Sequence, residues 1–383
     1  MTPPRPEPAD IGNRRVALVH DWLTGMRGGE KVLEALQELL PSAELFTLLH
    51  VPGSVSPQLE GVRAHRSFIQ WVPQAARHYR RYIPLFPMAI EQFDLDRFDL
   101  VMSSSHCVAK SIVRPGRARH VCYCHTPMRY AWDQFDEYFG PTRVGAARSW
   151  LYRRFLNHLA RWDASTAPRV DRYVANSRHV AGRIRRYYNR AATVVYPPVD
   201  TAYYSPNGSP QGPYFLIVSA LVPYKRIDLA IDACRIARVP LKIAGVGSER
   251  EHLEAHAGPD VEFLGACSDS QLRDLYRGAQ AFLLPGEEDF GIAPVESLAC
   301  GRPVIGLARG GATETVHDGS TGVLVDEATP QAFAAGIDRA QSLRFDSSHI
   351  REQALRFSRR RFHDEMRQCI EDAVQAPEAE VSW

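Results

Sequence analysis

Long hydrophobic runs are missing from this 383-residue chain. No apolar stretch approaches the roughly 20 residues that span a bilayer, so no transmembrane helix is expected. Cysteine is scarce as well: seven residues, an odd number, scattered along the chain. That argues against a disulfide framework and for a reducing cytoplasm. Charge of one sign is also lacking. With 46 Lys and Arg against 44 Asp and Glu, the net charge is +2, which does not fit a nucleic-acid partner. The opening MTPPRPEPADIGNRR has no signal-peptide apolar core. Its prolines and polar residues predict a disordered lead-in over residues 1–14. Metal-ligand spacing is absent too: Cys122, Cys124 and His125 lack a partner CxxC or histidine pair, and Asp94-Leu-Asp96 reads as an ordinary polar turn before a strand. Gly245-Val-Gly247 lacks the third glycine of a dinucleotide fingerprint, so NAD is set aside.

What is present is regular alternation. Arg15–Val19 reads as a strand, HDWLTGMRGGE as a loop, and Glu30–Leu40 as a helix with Val32, Leu33, Leu36, Leu39 and Leu40 on one side. Further strands are expected at Phe98–Met102, His120–Cys124, Asp171–Ser177 and Thr193–Tyr196. In the second half they begin near Tyr214, Leu241, Val261, Ala281, Val304 and Gly322, with helical segments between. This is an α/β chain of doubly wound parallel sheets. Pro197-Pro198-Val199-Asp200 is a stiff break. The expected domains are therefore 15–200 and 201–349, followed by helices over 350–375. Residues 65–93 interleave Arg66, Arg77, Arg80 and Arg81 with Trp71, Tyr79, Tyr82 and Phe86. That mixture suits an anionic membrane surface, or an amphipathic helix that turns its aromatics inward.

The chemistry concentrates in AFLLPGEEDFGIAPVESLACGRP, residues 281–303. A buried strand closes at Pro285-Gly286, an acidic turn follows, and a helix runs to Cys300 with Pro294 in its first turn. The amides of Phe290, Gly291 and Ile292 open that helix, where unpaired N–H groups attract anions. Glu288 and Glu296 beside such a terminus would repel phosphate and are better suited to hydroxyls. A ligand with phosphates and many hydroxyls is a sugar nucleotide. VSALVPYKRID adds Lys225 and Arg226 at a strand end, where a diphosphate would lie. Gly28-Gly29 sit in a loop where backbone meets a ligand or simply turns. His125 follows a strand's C-terminal end, the place where open α/β sheets bind ligands.

EDFGIAPVE resembles the Glu-x7-Glu signature of the retaining family 4 glycosyltransferases. CYCHTPMRYAWD, NSRHVAGRI, YPPVD and LVPYKR are similar to bacterial members that add hexoses, often mannose, in polysaccharide or O-antigen assembly. The resemblance implies the GT-B fold: two Rossmann-like domains whose parallel sheets face a central cleft, the last helix crossing back to the first domain. It implies that Glu296 binds the ribose, Lys225 and Arg226 the diphosphate, Glu288 the sugar hydroxyls, and that His125 closes over the sugar. Gly28-Gly29 would lie beside the donor phosphates. The donor is expected to be GDP-mannose, with a UDP-sugar as the alternative, and the acceptor a glycan or lipid-linked saccharide. No cofactor or metal is implied, and the enzyme is expected in the cytoplasm, peripheral on the membrane through residues 65–93. Relatives carry an arginine where this chain has Ala220. A sugar-nucleotide-binding scaffold without turnover is the reading from a different class.

Overall fold

A computed structural model of the chain describes residues 8–208 and 210–376. It divides into two compact units, Met1–Pro198 with Arg360–Trp383, and Val199–Arg359. Each is built on one all-parallel sheet.

In unit 1 the strands are β1 (Val16–His20), β2 (Glu44–Thr47), β3 (Ala64–Arg66), β4 (Leu100–Ser105), β5 (Arg119–Cys124), β6 (Arg172–Ala175) and β7 (Ala192–Val194). They are ordered β3-β2-β1-β4-β5-β6-β7. Central β1 and β4 are buried throughout, because helices cover both sheet faces. Strand alternation sends Leu18, Met102 and Tyr123 to one core, with Leu33 and Leu36 of the helix Gly28–Leu39. Ala17, Val19 and Val101 go to the opposite core. The helix Arg359–Gln375 adds Phe362, Met366 and Ile370 to the first of these.

Two expectations need correction here. Residues 1–7 lie outside the described residues, but 8–14 are not a loose lead-in: Ala9 and Ile11 are buried in the first core, and the Ala9 amide donates to the Leu39 carbonyl at 3.0 Å. Nor is 65–93 a single amphipathic helix. It forms short turns over Phe68–Trp71, Ala75–His78, Tyr79–Leu85 and Phe86–Glu91, with Pro73 between the first two, Pro84 inside the third and Pro87 in the first turn of the fourth. Tyr79 and Phe86 pack inward, while Trp71 and Met88 are exposed.

Unit 2 holds β8 (Phe215–Val218), β9 (Leu241–Ala244), β10 (Val261–Gly265), β11 (Phe282–Leu284), β12 (Val304–Leu307) and β13 (Gly322–Val325), ordered β10-β9-β8-β11-β12-β13. Strand order reverses between β1 and β4 in unit 1 and between β8 and β11 in unit 2. Doubly wound sheets bind ligands at the carboxyl ends of the strands at such points. Among the described residues no helix is long and apolar enough to cross a membrane.

Candidate functional site

The carboxyl ends of β8 and β11 carry the two unit 2 segments singled out above. The turn after β8 runs through Pro223–Lys225, and the turn after β11 through Glu287–Gly291. They meet closely: a Cβ on Gly286 would stand 2.6 Å from the Tyr224 carbonyl and 3.0 Å from Lys225 Cα, so only glycine fits. The Lys225 ammonium consequently pairs with the Glu288 carboxylate, both side chains mostly buried. The Gly311 amide donates to the Glu288 carbonyl at 2.8 Å, which brings the GGATETV segment onto the same turn.

The helix after this turn spans Ile292–Ala299, with Gly291 as its N-cap at φ +86°, a conformation that favours glycine. Phe290 is buried with its ring against Phe357, centroids 5.4 Å apart. Glu296 lies deeper. It is 4% exposed and accepts a hydrogen bond from the Tyr276 hydroxyl at 2.9 Å. Burial, and then the adjacent Glu296 charge, push the Tyr276 phenol well above its ordinary pKa, so it stays a donor. The two glutamates thus occupy different surroundings, one against a cation and one against a phenol. Arg226 has a partner of its own. It caps the helix Ile227–Ala237 in the left-handed region, φ +51°, and its guanidinium forks onto Asp228 at 3.2–3.3 Å, half exposed. Ala220 is exposed.

Unit 1 places a polar cluster at its own point of strand reversal. His20 ends β1 and registers with Ser104 on β4, and His125 continues β5 with its amide donating to the Ser105 carbonyl at 2.8 Å. Ser104 Oγ stands 2.9 Å from His125 Nε2 and 3.1 Å from His20 Nδ1. Gly28 and Gly29 are not loop residues as expected but the first turn of the helix Gly28–Leu39, behind Arg27 as N-cap. The position where Gly29 lacks a side chain faces three imidazoles: His20 at 3.6 Å, His125 at 3.9 Å and His106 at 4.0 Å. Glu30 follows in the same turn. Its burial raises its pKa, but His20 and His106 outweigh this and hold it below the usual range. Asp21 accepts the amides of His106, Cys107, Val108 and Ala109 at 2.7–2.9 Å and so clamps the loop after β4. The chain's sequence singled out Gly29 and His125; it did not single out His20, Asp21, Ser104 and His106, which join them only through sheet order. Tyr276 was missed for the same kind of reason. Asp94 and Asp96 form a plain turn, the Asp96 amide donating to Asp94 Oδ1 at 3.1 Å.

Residues 26–203 match the model described as Glycosyltransferase Family 4, and residues 205–357 the model described as Glycosyl transferases group 1. Together these take in most of the chain. Both models describe glycosyltransferases, and over its two halves together the chain belongs to that group. Solved structures similar to this glycosyltransferase share its GT-B fold. HepE from Anabaena in complex with UDP has a TM-score of 0.68 at 18% identity, over 93% of this chain and 100% of that one. The lipopolysaccharide outer core galactosyltransferase WaaB has 0.64 at 16%, over 94% and 99%. Among curated relatives, a D-inositol 3-phosphate glycosyltransferase of Acidothermus cellulolyticus is 30% identical over 46% of this chain and 47% of its own. An uncharacterized glycosyltransferase of Methanocaldococcus jannaschii is 28% identical over 42% and 46%. The chain spans about half the length of the curated relatives it matches.

Proposed function

We propose that this glycosyltransferase moves a hexose, with mannose from GDP-mannose the first choice, onto a glycan or lipid-linked acceptor in bacterial surface polysaccharide assembly, with retention of configuration. The observation that carries this is the Lys225–Glu288 pair at the strand reversal of unit 2, flanked by the amides of Phe290, Gly291 and Ile292. A diphosphate competes for the lysine, and the released glutamate takes the sugar's hydroxyls. Glu296, oriented by Tyr276, holds the ribose. Arg226 joins the phosphates only by leaving Asp228. For His125 and Gly28-Gly29 of unit 1, the family resemblance supports roles toward a sugar and phosphates. Attack on the face from which the leaving group departs lets the departing phosphate take the acceptor's proton. Lysine and backbone amides then neutralise the leaving group, and no metal enters the proposal.

A second reading, a UDP-sugar donor, is favoured by HepE, whose solved structures are complexes with UDP and UDP-glucose. Thermal shift with GDP, GDP-mannose, UDP and UDP-glucose separates the two, since a ligand at 100 times its Kd stabilises by about 2.7 kcal/mol. The matching nucleotide sugar should then release nucleoside diphosphate in the presence of excess EDTA. Stabilisation by UDP and UDP-glucose alone overturns the GDP-mannose choice. Binding of a nucleotide sugar with no transfer to any acceptor or to water returns the chain to a scaffold.

A further inference from the structure

Strand alternation puts His20, Ser104 and His125 on the face of the unit 1 sheet that the helix Gly28–Leu39 covers, with Glu30 in that helix's first turn. We propose that Glu30, His20 and Ser104 form a directional hydrogen-bonded relay that fixes His125 as its Nε2–H tautomer, making Nδ1 the hydrogen-bond acceptor of that ring. The geometry stands by itself; the ligand that makes use of it rests on the glycosyl-transfer reading above.

A serine hydroxyl has one hydrogen. Ser104 Oγ, buried, lies within hydrogen-bond distance of both His20 Nδ1 and His125 Nε2 and can donate to at most one of them, so at least one of these nitrogens carries a hydrogen. The choice is made at the far end of the chain. His20 is fully buried, and its Nε2 has no hydrogen-bond partner among the described residues. The group it faces is Glu30 Oε1, at 3.9 Å. The other oxygen of Glu30 accepts the Arg27 amide at 3.1 Å, which anchors the carboxylate. A bare lone pair on Nε2 would face an anion in dry surroundings, whereas an N–H is attracted to it. The nearby carboxylate of Asp21 is already occupied by the four amides of residues 106–109 and by His106 Nδ1 at 3.2 Å, so it does not compete for His20. His20 therefore carries its proton on Nε2, and its Nδ1 is the acceptor. Ser104 donates to that nitrogen and offers its lone pair to His125, which must supply Nε2–H.

The consequence is chemical. Toward a hydroxyl, His125 takes a hydrogen and does not give one. That suits orientation of a sugar hydroxyl whose oxygen is to remain electron-rich. His20, Ser104 and Glu30 are positioning residues that act through His125.

The test uses the full chain labelled with 15N-histidine, free of ligand at pH 7.5, with tautomers read from long-range proton–nitrogen correlations. His125 and His20 should both be neutral Nε2–H imidazoles. Ser104→Ala should let His125 populate both tautomers, Glu30→Gln should remove the bias at His20, and Ser104→Thr, which keeps the hydroxyl, should retain the parental pattern. With whichever of GDP-mannose and UDP-glucose is turned over, Ser104→Ala should lower kcat by roughly 10- to 100-fold, the scale of a misplaced contact, while donor KM stays within about twofold. An Nδ1–H tautomer at His125, an imidazolium at His20, or an unchanged His125 in Ser104→Ala overturns the relay. Full turnover by Ser104→Ala, with His125→Ala inactive, overturns its catalytic consequence and leaves the transferase reading intact. If neither sugar nucleotide is turned over, that reading fails while the tautomers still decide the relay.

Discussion

A lysine and a glutamate in contact hold one another until a ligand competes for both. Lys225 and Glu288 stand in that relation, whereas Glu296 is held by a phenol inside the unit. The two glutamates should therefore respond differently to removal. Glu288→Ala removes the Glu288 charge from beside Lys225, so affinity for free GDP or UDP should hold or rise, while kcat falls by roughly 100-fold through loss of sugar positioning. Glu296→Ala should weaken the same nucleotides about tenfold or more, the scale of a hydrogen bond to a charged group. Calorimetric titration of both variants decides it; equal losses of nucleotide affinity would refute the separate roles. Both glutamates were legible in the chain because their spacing around Phe290-Gly291 is local. The Lys225–Glu288 contact was not, because it depends on β8 and β11 being neighbours, which 1-D spacing does not encode.

Between elements, His120 ties β5 to its surroundings. Its Nε2 accepts from Ser103 on β4 at 2.8 Å, and its Nδ1 donates to the Arg169 carbonyl at 3.0 Å. Burial, reinforced by the charges of Arg114 and Lys110 and opposed by the Arg169 carbonyl, pushes its pKa down to about 3. The unfolded chain takes up this proton near pH 6.5 and the folded one does not. Stability from this group is thus complete above pH 6.5. It is lost as pH falls from there toward 3, at about 1.4 kcal/mol per pH unit. Urea midpoints measured from pH 7.5 to 4 should fall more steeply for the parent than for His120→Gln, which cannot take up the proton; parallel slopes would remove His120 from the acid sensitivity. At this scale most strands and the main helices were readable from apolar periodicity. The exceptions have local causes. Gly28 and Gly29 read as a loop because glycine is a poor helix former, yet here they open a helix that brings backbone close to three imidazoles. Residues 65–93 read as one stretch because their composition is uniform, whereas the chain there folds as four short turns carrying three prolines. His20 and His106 carried no motif at all, and only the placement of β1 beside β4 gives them company.

For the whole molecule, a net charge of +2 supplies little long-range attraction, so the proposed contact of residues 65–93 with an anionic bilayer would have to be local. Exposed Trp71 and Met88 accompany exposed Arg77, Arg80 and Arg81. On the same side of the unit 1 sheet, the helix Ala146–Ser165 exposes Trp150 and Leu151 beside Arg148, Arg153 and Arg154. Sedimentation with vesicles rich in anionic lipid should carry the protein down at low salt. Arg77, Arg80 and Arg81 changed together to Glu should cut partitioning at least tenfold, given about 1 kcal/mol per cation near such a surface. Equal sedimentation of variant and parent would count against a membrane role for this segment.

Unit 2 interrupts unit 1. The chain leaves after Pro198 and returns at Arg360, and the two crossings lie side by side: the Val199 amide donates to Phe357 at 2.9 Å and the Arg359 amide to Val199 at 3.1 Å. During synthesis, the core around Leu18, Val121 and Tyr123 is made early but receives Phe362, Met366 and Ile370 last. At roughly 5–20 residues per second that core waits on the order of 10–30 s for its final helix. Unit 2, contiguous in the chain, is synthesised during that interval and is complete one helix earlier. The nascent chain thus completes its second unit before its first, and the unit that emerges earliest from the ribosome is the one that waits longest for its last element.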